Sequence, residues 1–279
     1  MKHLSSSILL GLGLFSFFSC KEATAPAPIL PVPTPAQVEW HKMETYAFVH
    51  FGLNTFNDLE WGYGNTPAST FNPTDLDCDQ WAQTIKAAGL KGVILTTKHH
   101  DGFCLFDSQY TDFKSTNTKC GRDLVAEYVD AVRAEGLKVG LYFSLLDWFH
   151  DDFPHYGDRN HPMRNNTAYK NDDRDFERYL TYMHNQVREI CTNYGKLDVL
   201  WFDFSYDTLR GEAWKATELI KMVRKLQPDV IIDNRLEVSG EGYGSLAAGN
   251  PTPYHGDFVS PEQMIPPNGI QDVNGNDIA

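Results

Sequence analysis

The sequence predicts an α/β fold built as a (β/α)8 barrel of the TIM type, and two observations lead to this prediction. The first is a repeated pattern in which an amphipathic segment with helical spacing ends at a glycine or proline and precedes a continuous apolar run. Continuous apolar runs are typical of parallel strands that are buried on both faces. The second is that polar side chains follow these runs, because a barrel assembles its active site from the carboxyl ends of its strands.

The alternative α/β architecture is a doubly wound sheet, which binds its ligand at one crevice and needs no contribution from every strand. No GxGxxG or GxxxxGK[ST] sequence follows a predicted strand, so a nucleotide-binding sheet is poorly supported. We therefore favour the barrel.

The predicted strands follow one another at the spacing of βα units. An early strand lies within YAFVHFGLNTF (46–56). The repeated pattern supplies four more, within KAAGLKGVILTTKHH (86–100), RAEGLKVGLYFSLLDW (133–148), TNYGKLDVLWFDFSYD (192–207) and RKLQPDVIIDNRLE (224–237). Glycine ends the first three preceding helices because it readily adopts the left-handed C-cap conformation, and proline replaces it before the fourth. A later strand within TPYHGDFVSPEQ (252–263) brings the number to about six, so the sequence predicts an incomplete barrel over residues 38–279.

The N-terminal residues predict export rather than a folded element. Residues 1–20 carry a lysine near the start, an apolar core too short for a membrane span, and a terminal FFSC that resembles a bacterial lipoprotein box. Lipidation at Cys20 is the favoured interpretation, and an ordinary signal peptide is the alternative. Residues 21–37 are rich in proline and predict an extended linker. The expected location is therefore the periplasm or outer membrane of a bacterium, with Cys20 as the only membrane contact.

Composition narrows the class of partner. The net charge of −13 argues against a nucleic-acid ligand. Aromatic residues make up 13% of the chain, which suits carbohydrate binding because ring faces can cover the C–H faces of sugars. The four cysteines beyond Cys20 form no CxxC, so a structural zinc site is not expected, and disulfide pairing stays open.

Two carboxylates are candidates for catalysis. Asp203 follows a strongly apolar strand, where burial is costly unless the charge is paired or used. Glu262 lies in a loop flanked by prolines. Two carboxylates across a pocket can cleave a glycosidic bond, one as nucleophile and the other as acid and then base. The alternatives are that Asp203 caps the helix that begins near Glu212 and that Glu262 is a solvated loop residue.

The stretch TTKHHDGFCLF places two histidines at the end of a predicted strand. Adjacent strand residues point to opposite faces, so His99 and His100 are poorly placed to chelate one metal, which weakens the hypothesis of a metal site. Where the chain bends outward, both rings could still reach one ligand, and neutral imidazole suits sugar hydroxyls because it can both donate and accept. The alternative interpretation is that neither histidine binds a ligand, with one ring packed in the core and the other exposed to solvent.

Taken in order, HFGLNTF, EWGYG, TTKHHDGFCLF, LYFSLLDW, LWFDF, DNR and GDFVSPEQ resemble the family 29 α-L-fucosidases over about Glu39–Gln263. The resemblance implies a retaining hydrolase that acts on terminal α-linked L-fucose of glycans without a metal or cofactor. It also implies a barrel followed by a C-terminal β-sandwich; we expect this sandwich to be absent here and the chain to be a truncated family member with reduced activity. By motif position, Asp203 would be the nucleophile and Glu262 the acid/base, with Glu237 in reserve. The positions that match fucose-holding residues are His50, Glu60, Trp61, His99, His100, Tyr142, Trp201 and Arg235.

Three other functions stay open on the sequence. One is another retaining glycosidase on the same fold. Another is a surface lipoprotein that binds glycans without cleaving them. The third is a metal-dependent hydrolase that uses His50, His99 and His100.

Overall fold

The computed structural model describes residues 25, 27, 32–170, 173–239, 242–263, 265–267 and 269–275. The chain divides into a unit of residues 1–32 and a unit of residues 33–279, and every element below belongs to the second. The predicted signal peptide, Cys20 and nearly all of the linker up to residue 31 lie outside the described residues. Among the described residues, no helix combines the length and the apolar character needed to cross a membrane.

Helices and strands alternate along the described chain. The helices are α1 (Pro35–Met43), α2 (Cys78–Ala87), α3 (Leu124–Ala134), α4 (Phe176–Asn193), α5 (Ala216–Leu226) and the short α6 (Gly244–Ala247). The strands are β1 (Ala47–Val49), β2 (Gly92–Lys98), β3 (Lys138–Ser144), β4 (Val199–Asp203) and β5 (Ile231–Ile232). The predicted glycine caps after α2, α3 and α4 are confirmed, since Gly89, Gly136 and Gly195 have φ of +81°, +72° and +68°.

The strands form one parallel sheet in the order β1-β2-β3-β4-β5. This confirms the predicted α/β class and the parallel sheet. Side chains that alternate along the strands, such as Leu95, Leu141 and Phe202, join the main core with α2–α5. The opposite face carries Ile94, Tyr142 and Val199, which pack against Met43 of α1. Because all strands run the same way, their carboxyl ends share one edge of the sheet.

The sheet is not closed in the described residues. On the face opposite the main core, the Phe48 side chain is 41% exposed even though it contacts the rings of Tyr142 and Trp201. The prediction of a sixth strand is wrong. In its place, the structure has a single parallel β-bridge between Asp233 and Phe258. Beside this bridge, the Asp257 N–H donates to the Ile232 carbonyl at 2.6 Å, but the Ile232 N–H donates to the Asp257 side chain at 2.8 Å, so the backbone ladder does not continue.

The linker is shorter than predicted, because α1 begins at Pro35 rather than after Gln37. Thr34 and Gln37 form a capping box, in which the Gln37 N–H donates to Thr34 Oγ1 at 3.2 Å and the Thr34 N–H donates to Gln37 Oε1 at 2.9 Å. Proline is favoured at the first position of a helix because it has no N–H to leave unpaired. A proline that indicates an extended linker therefore occupies the first position of a helix here.

All four cysteines of this unit are free thiols, which answers the question of disulfide pairing that the sequence left open. Cys78, Cys104 and Cys191 are buried, and Cys120 is partly buried.

Candidate active site

Asp203 is the last residue of β4, and its buried carboxylate is held from two sides. Tyr142 of β3 donates its hydroxyl to Asp203 Oδ2 at 2.7 Å, and Arg235 Nη1 donates to Asp203 Oδ1 at 2.8 Å. The alternative role as a helix cap is wrong, because neither the 3₁₀ helix at Gly211–Trp214 nor α5 has a side-chain cap. The carboxylate is instead fixed at the edge where the strands end.

Arg235 connects the two predicted carboxylates. Its Nη1 also donates to Glu262 Oε2 at 3.0 Å, while Ser260 Oγ accepts from Nε at 3.1 Å. Since Asp203 and Glu262 share one nitrogen, the two bonded carboxylate oxygens are at most about 6 Å apart, compared with about 5–5.5 Å between the carboxyls of retaining glycosidases. The guanidinium lies 5.5 Å from the Trp201 ring. The Glu262 side chain is 49% exposed but paired, so it is not a purely solvated loop residue.

The three predicted histidines form a second group. The His99 and His100 rings stack with centroids 4.0 Å apart, and His50, which follows β1, meets His99 edge-on at 4.4 Å. A register shift at Thr96–Lys98 bends the end of β2. This bend explains why adjacent residues share one side, as the sequence analysis anticipated. Tyr142 joins the two groups, since its ring centroid lies 5.9 Å from that of His99.

The hydrogen bonds around His100 define its tautomer. Ser144 Oγ lies 2.7 Å from His100 Nδ1, donates to the Leu146 carbonyl at 3.0 Å and accepts the Leu146 N–H at 3.1 Å. Because a hydroxyl has one proton, all three contacts are satisfied only when His100 Nδ1 carries the hydrogen. His100 Nε2 then presents a lone pair.

All three imidazoles are neutral at neutral pH. Burial lowers the pKa of His100 to about 3, and it also lowers the pKa of His99 well below its ordinary value. Partial desolvation lowers the pKa of His50, although the carboxylates of Glu60 and Asp203 oppose this effect. A cluster of neutral rings can exchange hydrogen bonds with hydroxyl groups without repelling one another.

Aromatic side chains surround His100. The Trp61 ring meets the rings of His100, Trp148 and Phe204 with centroids 5.7, 5.9 and 5.6 Å away. Phe204, directly after Asp203, has a positive φ of +88°, a strained conformation for a residue with a side chain. Ser239 Oγ stabilises this turn by accepting the Phe204 N–H at 3.2 Å. The strain is therefore located beside the candidate nucleophile.

Lys98 and Gly102, which flank the histidines, both contact Asp147, and neither contact was predicted from the sequence. Lys98 Nζ lies 3.2 Å from Asp147 Oδ2 in an ion pair whose side chains are 0% and 1% exposed. Gly102 has φ of +84°, and a β-carbon there would lie 2.1 Å from Asp147 Oδ1. The two residues anchor the loop after β2 to the end of β3. The sequence feature that could have indicated this buried ion pair is a lysine at the end of an otherwise largely apolar strand.

The remaining candidates occupy different surroundings. Glu60 is exposed and acts on His50 through its charge. Glu237 is engaged elsewhere: its Oε2 accepts the Ser245 N–H at 2.7 Å and its Oε1 accepts the Thr252 hydroxyl at 2.9 Å. Within the part of the chain that the structure describes, no three His, Cys, Asp or Glu side chains are arranged to hold a metal ion.

The chain is similar to known proteins over most of its length. Alpha-L-fucosidase 1 of Arabidopsis thaliana is 36% identical over 245 residues, which are 82% of this chain and 44% of that protein. The solved α-L-fucosidase isoenzyme 1 from Paenibacillus thiaminolyticus matches with a TM-score of 0.77 and 49% identity, covering 87% of this chain and 59% of that one. A bacterial fucosidase solved with a monovalent iminocyclitol inhibitor matches with a TM-score of 0.62 and 30% identity, over 76% of this chain and 52% of that one.

The chain thus spans less than half the length of the curated plant relatives that it matches. The family model described as alpha-L-fucosidase matches residues 12–272, which is most of the sequence. The chain therefore belongs to the α-L-fucosidase family.

Proposed function

We propose that this protein is a retaining α-L-fucosidase that hydrolyses terminal α-linked L-fucose from glycans. The observation that carries the proposal is the sharing of Arg235 by Asp203 and Glu262, which holds two carboxylates at a separation compatible with double displacement. Homologues named as fucosidases favour this function over a glycan-binding lipoprotein or a different retaining glycosidase.

In the first step, Asp203 attacks the anomeric carbon, the glycosidic C–O bond breaks, and Glu262 donates a proton to the leaving oxygen. In the second step, Glu262 takes a proton from water, the water oxygen bonds to the anomeric carbon, and the Asp203 carboxylate is released. Glu262 must leave its ion pair with Arg235 before it can act as a proton donor. Its exposed position at the rim leaves room for this movement.

The neutral histidines supply the hydrogen bonds for the sugar. With Nδ1 protonated, His100 offers Nε2 as an acceptor for a sugar hydroxyl. Trp61 and Trp201 supply ring faces, and Tyr142 and Arg235 orient the nucleophile. A relative solved with an iminocyclitol inhibitor supports a sugar-sized ligand for this site.

We also infer that the five parallel strands form part of a (β/α)8 barrel. Helices α2–α5 cover one face of the sheet, while the other face packs against α1 and bears the partly exposed aromatic rings of Phe48 and Trp201. In a barrel this second face would line the interior, and the shared carboxyl edge of the strands would form the active-site rim.

The test is release of 4-nitrophenol from 4-nitrophenyl α-L-fucoside by the chain. Other 4-nitrophenyl glycosides are assayed separately as alternative substrates. In the variant Glu262→Gln, we expect kcat/KM for this activated substrate to be largely kept, because 4-nitrophenolate leaves without a proton, whereas kcat should fall because the second step has lost its base. For a fucosylated sugar, kcat/KM should fall on the order of 10²–10⁴-fold, because its leaving oxygen needs the proton. Glu237→Gln is the matched control and should keep both activities. Binding of fucose without turnover would instead favour a lectin-like protein.

The location follows from the sequence and is also a proposal: we infer a lipid anchor on Cys20. In a bacterial host, the wild-type chain should partition into the detergent phase of a Triton X-114 extract, and the variant Cys20→Ala should move to the aqueous phase. A lipid chain adds about 0.8 kcal/mol of membrane affinity per buried CH₂, so the difference should be large. Equal partitioning of the two proteins would rule out the anchor.

A further inference from the structure

A small cavity lies beside the histidine group on the side of Asn54 and Asp101. It has a volume of ≈ 150 Å³, and its lining includes His50 and His99 together with the apolar residues around Leu53. Its size is sufficient for several water molecules. The candidate site therefore has a polar compartment behind one of its sugar-binding rings.

Three side chains that line this cavity each have one buried polar atom without a partner among the described residues: Asn54 Oδ1, His99 Nδ1 and Asp101 Oδ2. The other polar atoms of Asn54 and Asp101 are used, since Asn54 Nδ2 donates to the Trp61 carbonyl at 2.8 Å and Asp101 Oδ1 accepts the Phe103 N–H at 3.3 Å. Asn54 is 5% exposed and Asp101 2% exposed. A buried polar group left unpaired costs about 1–3 kcal/mol, so each of these atoms would be stabilised by a hydrogen-bonding ligand in the cavity.

We propose that Asp101 is a positioning residue for His99, and that buried water in this cavity connects Asp101 Oδ2 to His99 Nδ1 and selects the tautomer of the ring. Water suits the three atoms because it both donates and accepts and takes two to four polar partners. The contact of His99 with sugar rests on the proposed function, whereas the water bridge and the tautomer do not.

The direction of the bridge depends on the proton of Asp101. When the carboxyl is ionised, water donates to Asp101 and accepts from His99 Nδ1–H, which leaves His99 Nε2 as an acceptor. When Asp101 is protonated, its Oδ2–H donates to water, water donates to Nδ1, and Nε2 carries the hydrogen. The hydrogen bond that His99 offers to a ligand is therefore reversed between the two states.

This reversal falls near neutral pH. Burial raises the pKa of Asp101 to about 7, with Asp147 adding to the effect and the Phe103 N–H and Lys98 opposing it. Desolvation lowers the pKa values of His50 and His99, the other titratable groups at the cavity, so both rings are neutral where Asp101 changes its charge.

The experiment is two-bond ¹H–¹⁵N correlation spectroscopy of ¹⁵N-histidine-labelled protein from about pH 5 to about pH 8, with His99→Gln to assign the resonances. In the wild type, neutral His99 should carry its hydrogen on Nε2 at low pH and on Nδ1 at high pH. In Asp101→Asn the exchange should disappear. In the control Glu189→Gln it should persist, because Glu189 is also a largely buried acid but contacts Ser108 and Gln109 instead.

A single His99 tautomer throughout the titration of the wild type would overturn the proposal, as would a pH-dependent exchange that survives in Asp101→Asn. The wild-type titration decides the matter even if Asp101→Asn does not fold. Fucoside turnover measured on the same samples separates the two claims. In the wild type, a missing tautomer exchange with turnover intact rejects the bridge alone, whereas a normal exchange without turnover rejects the proposed activity alone.

Discussion

Replacing Asp203 with alanine is expected to lower kcat for 4-nitrophenyl α-L-fucoside by at least about 10³-fold, because the substitution removes the proposed nucleophile. Tyr142 and Arg235 currently hold both oxygens of this carboxylate, so its orientation is set before substrate binds. The measurement is the initial rate of 4-nitrophenol release at saturating substrate. KM should change less than kcat, since the proposed sugar contacts of His99 and His100 are not altered.

The matched control is Asp198→Ala, which removes the carboxylate just before the opposite end of the same strand. Asp198 accepts the Val139 N–H at 2.9 Å and lies 3.2 Å from Lys138 Nζ, far from the carboxyl edge of the sheet. The Asp198→Ala variant should lose some stability but keep kcat.

Azide provides a further check on Asp203. In the variant Asp203→Gly, azide can enter the space left by the side chain and yield the β-fucosyl azide in a single displacement. Similar losses in the Asp203 and Asp198 variants, or no azide product, would contradict the role of Asp203 as nucleophile.

The parts of the site that the sequence predicted are those that depend on strand position alone. A polar residue directly after a buried apolar run must lie at the carboxyl edge of a parallel sheet, and this places Asp203, His99 and His100 correctly. The side-by-side histidines also followed from the expected bend at the end of β2.

What the sequence did not reveal depends on pairs of residues that are distant along the chain. Lys98 and Asp147 are 49 residues apart, and neither residue alone indicates its partner. The failure of the sixth strand has a similar origin, because the Asp257 side chain takes the bond to Ile232 that a strand ladder would supply. Helix α1 was missed because the proline that favours a linker also favours the first turn of a helix.

The buried pair of Lys98 and Asp147 gives the largest expected effect on stability. Replacing Lys98 with methionine should lower the free energy of unfolding by about 3–5 kcal/mol, because it leaves the Asp147 carboxylate buried without its cation. Tyr182 donates to Asp147 Oδ2 at 3.0 Å, but a neutral hydroxyl cannot replace the lost charge. Denaturant unfolding monitored by tryptophan fluorescence measures the change.

Lys91→Met is the matched control, because Lys91 makes an ion pair of similar length with Glu44, at 3.0 Å, while its side chain is 50% exposed. An exposed pair contributes about 0–1 kcal/mol, so the stability of this variant should remain close to that of the wild type.

The double variant Lys98→Met with Asp147→Asn should be more stable than Lys98→Met alone, since the second change removes the unpaired charge. Equal losses in the two lysine variants would mean that the buried pair does not stabilise the fold. If instead the loss is large and the double variant recovers part of it, the cation inside the KHHDGF segment is what anchors the histidine loop to the end of β3. The two proposed sugar-binding rings would then be positioned by a charge that lies outside the site itself.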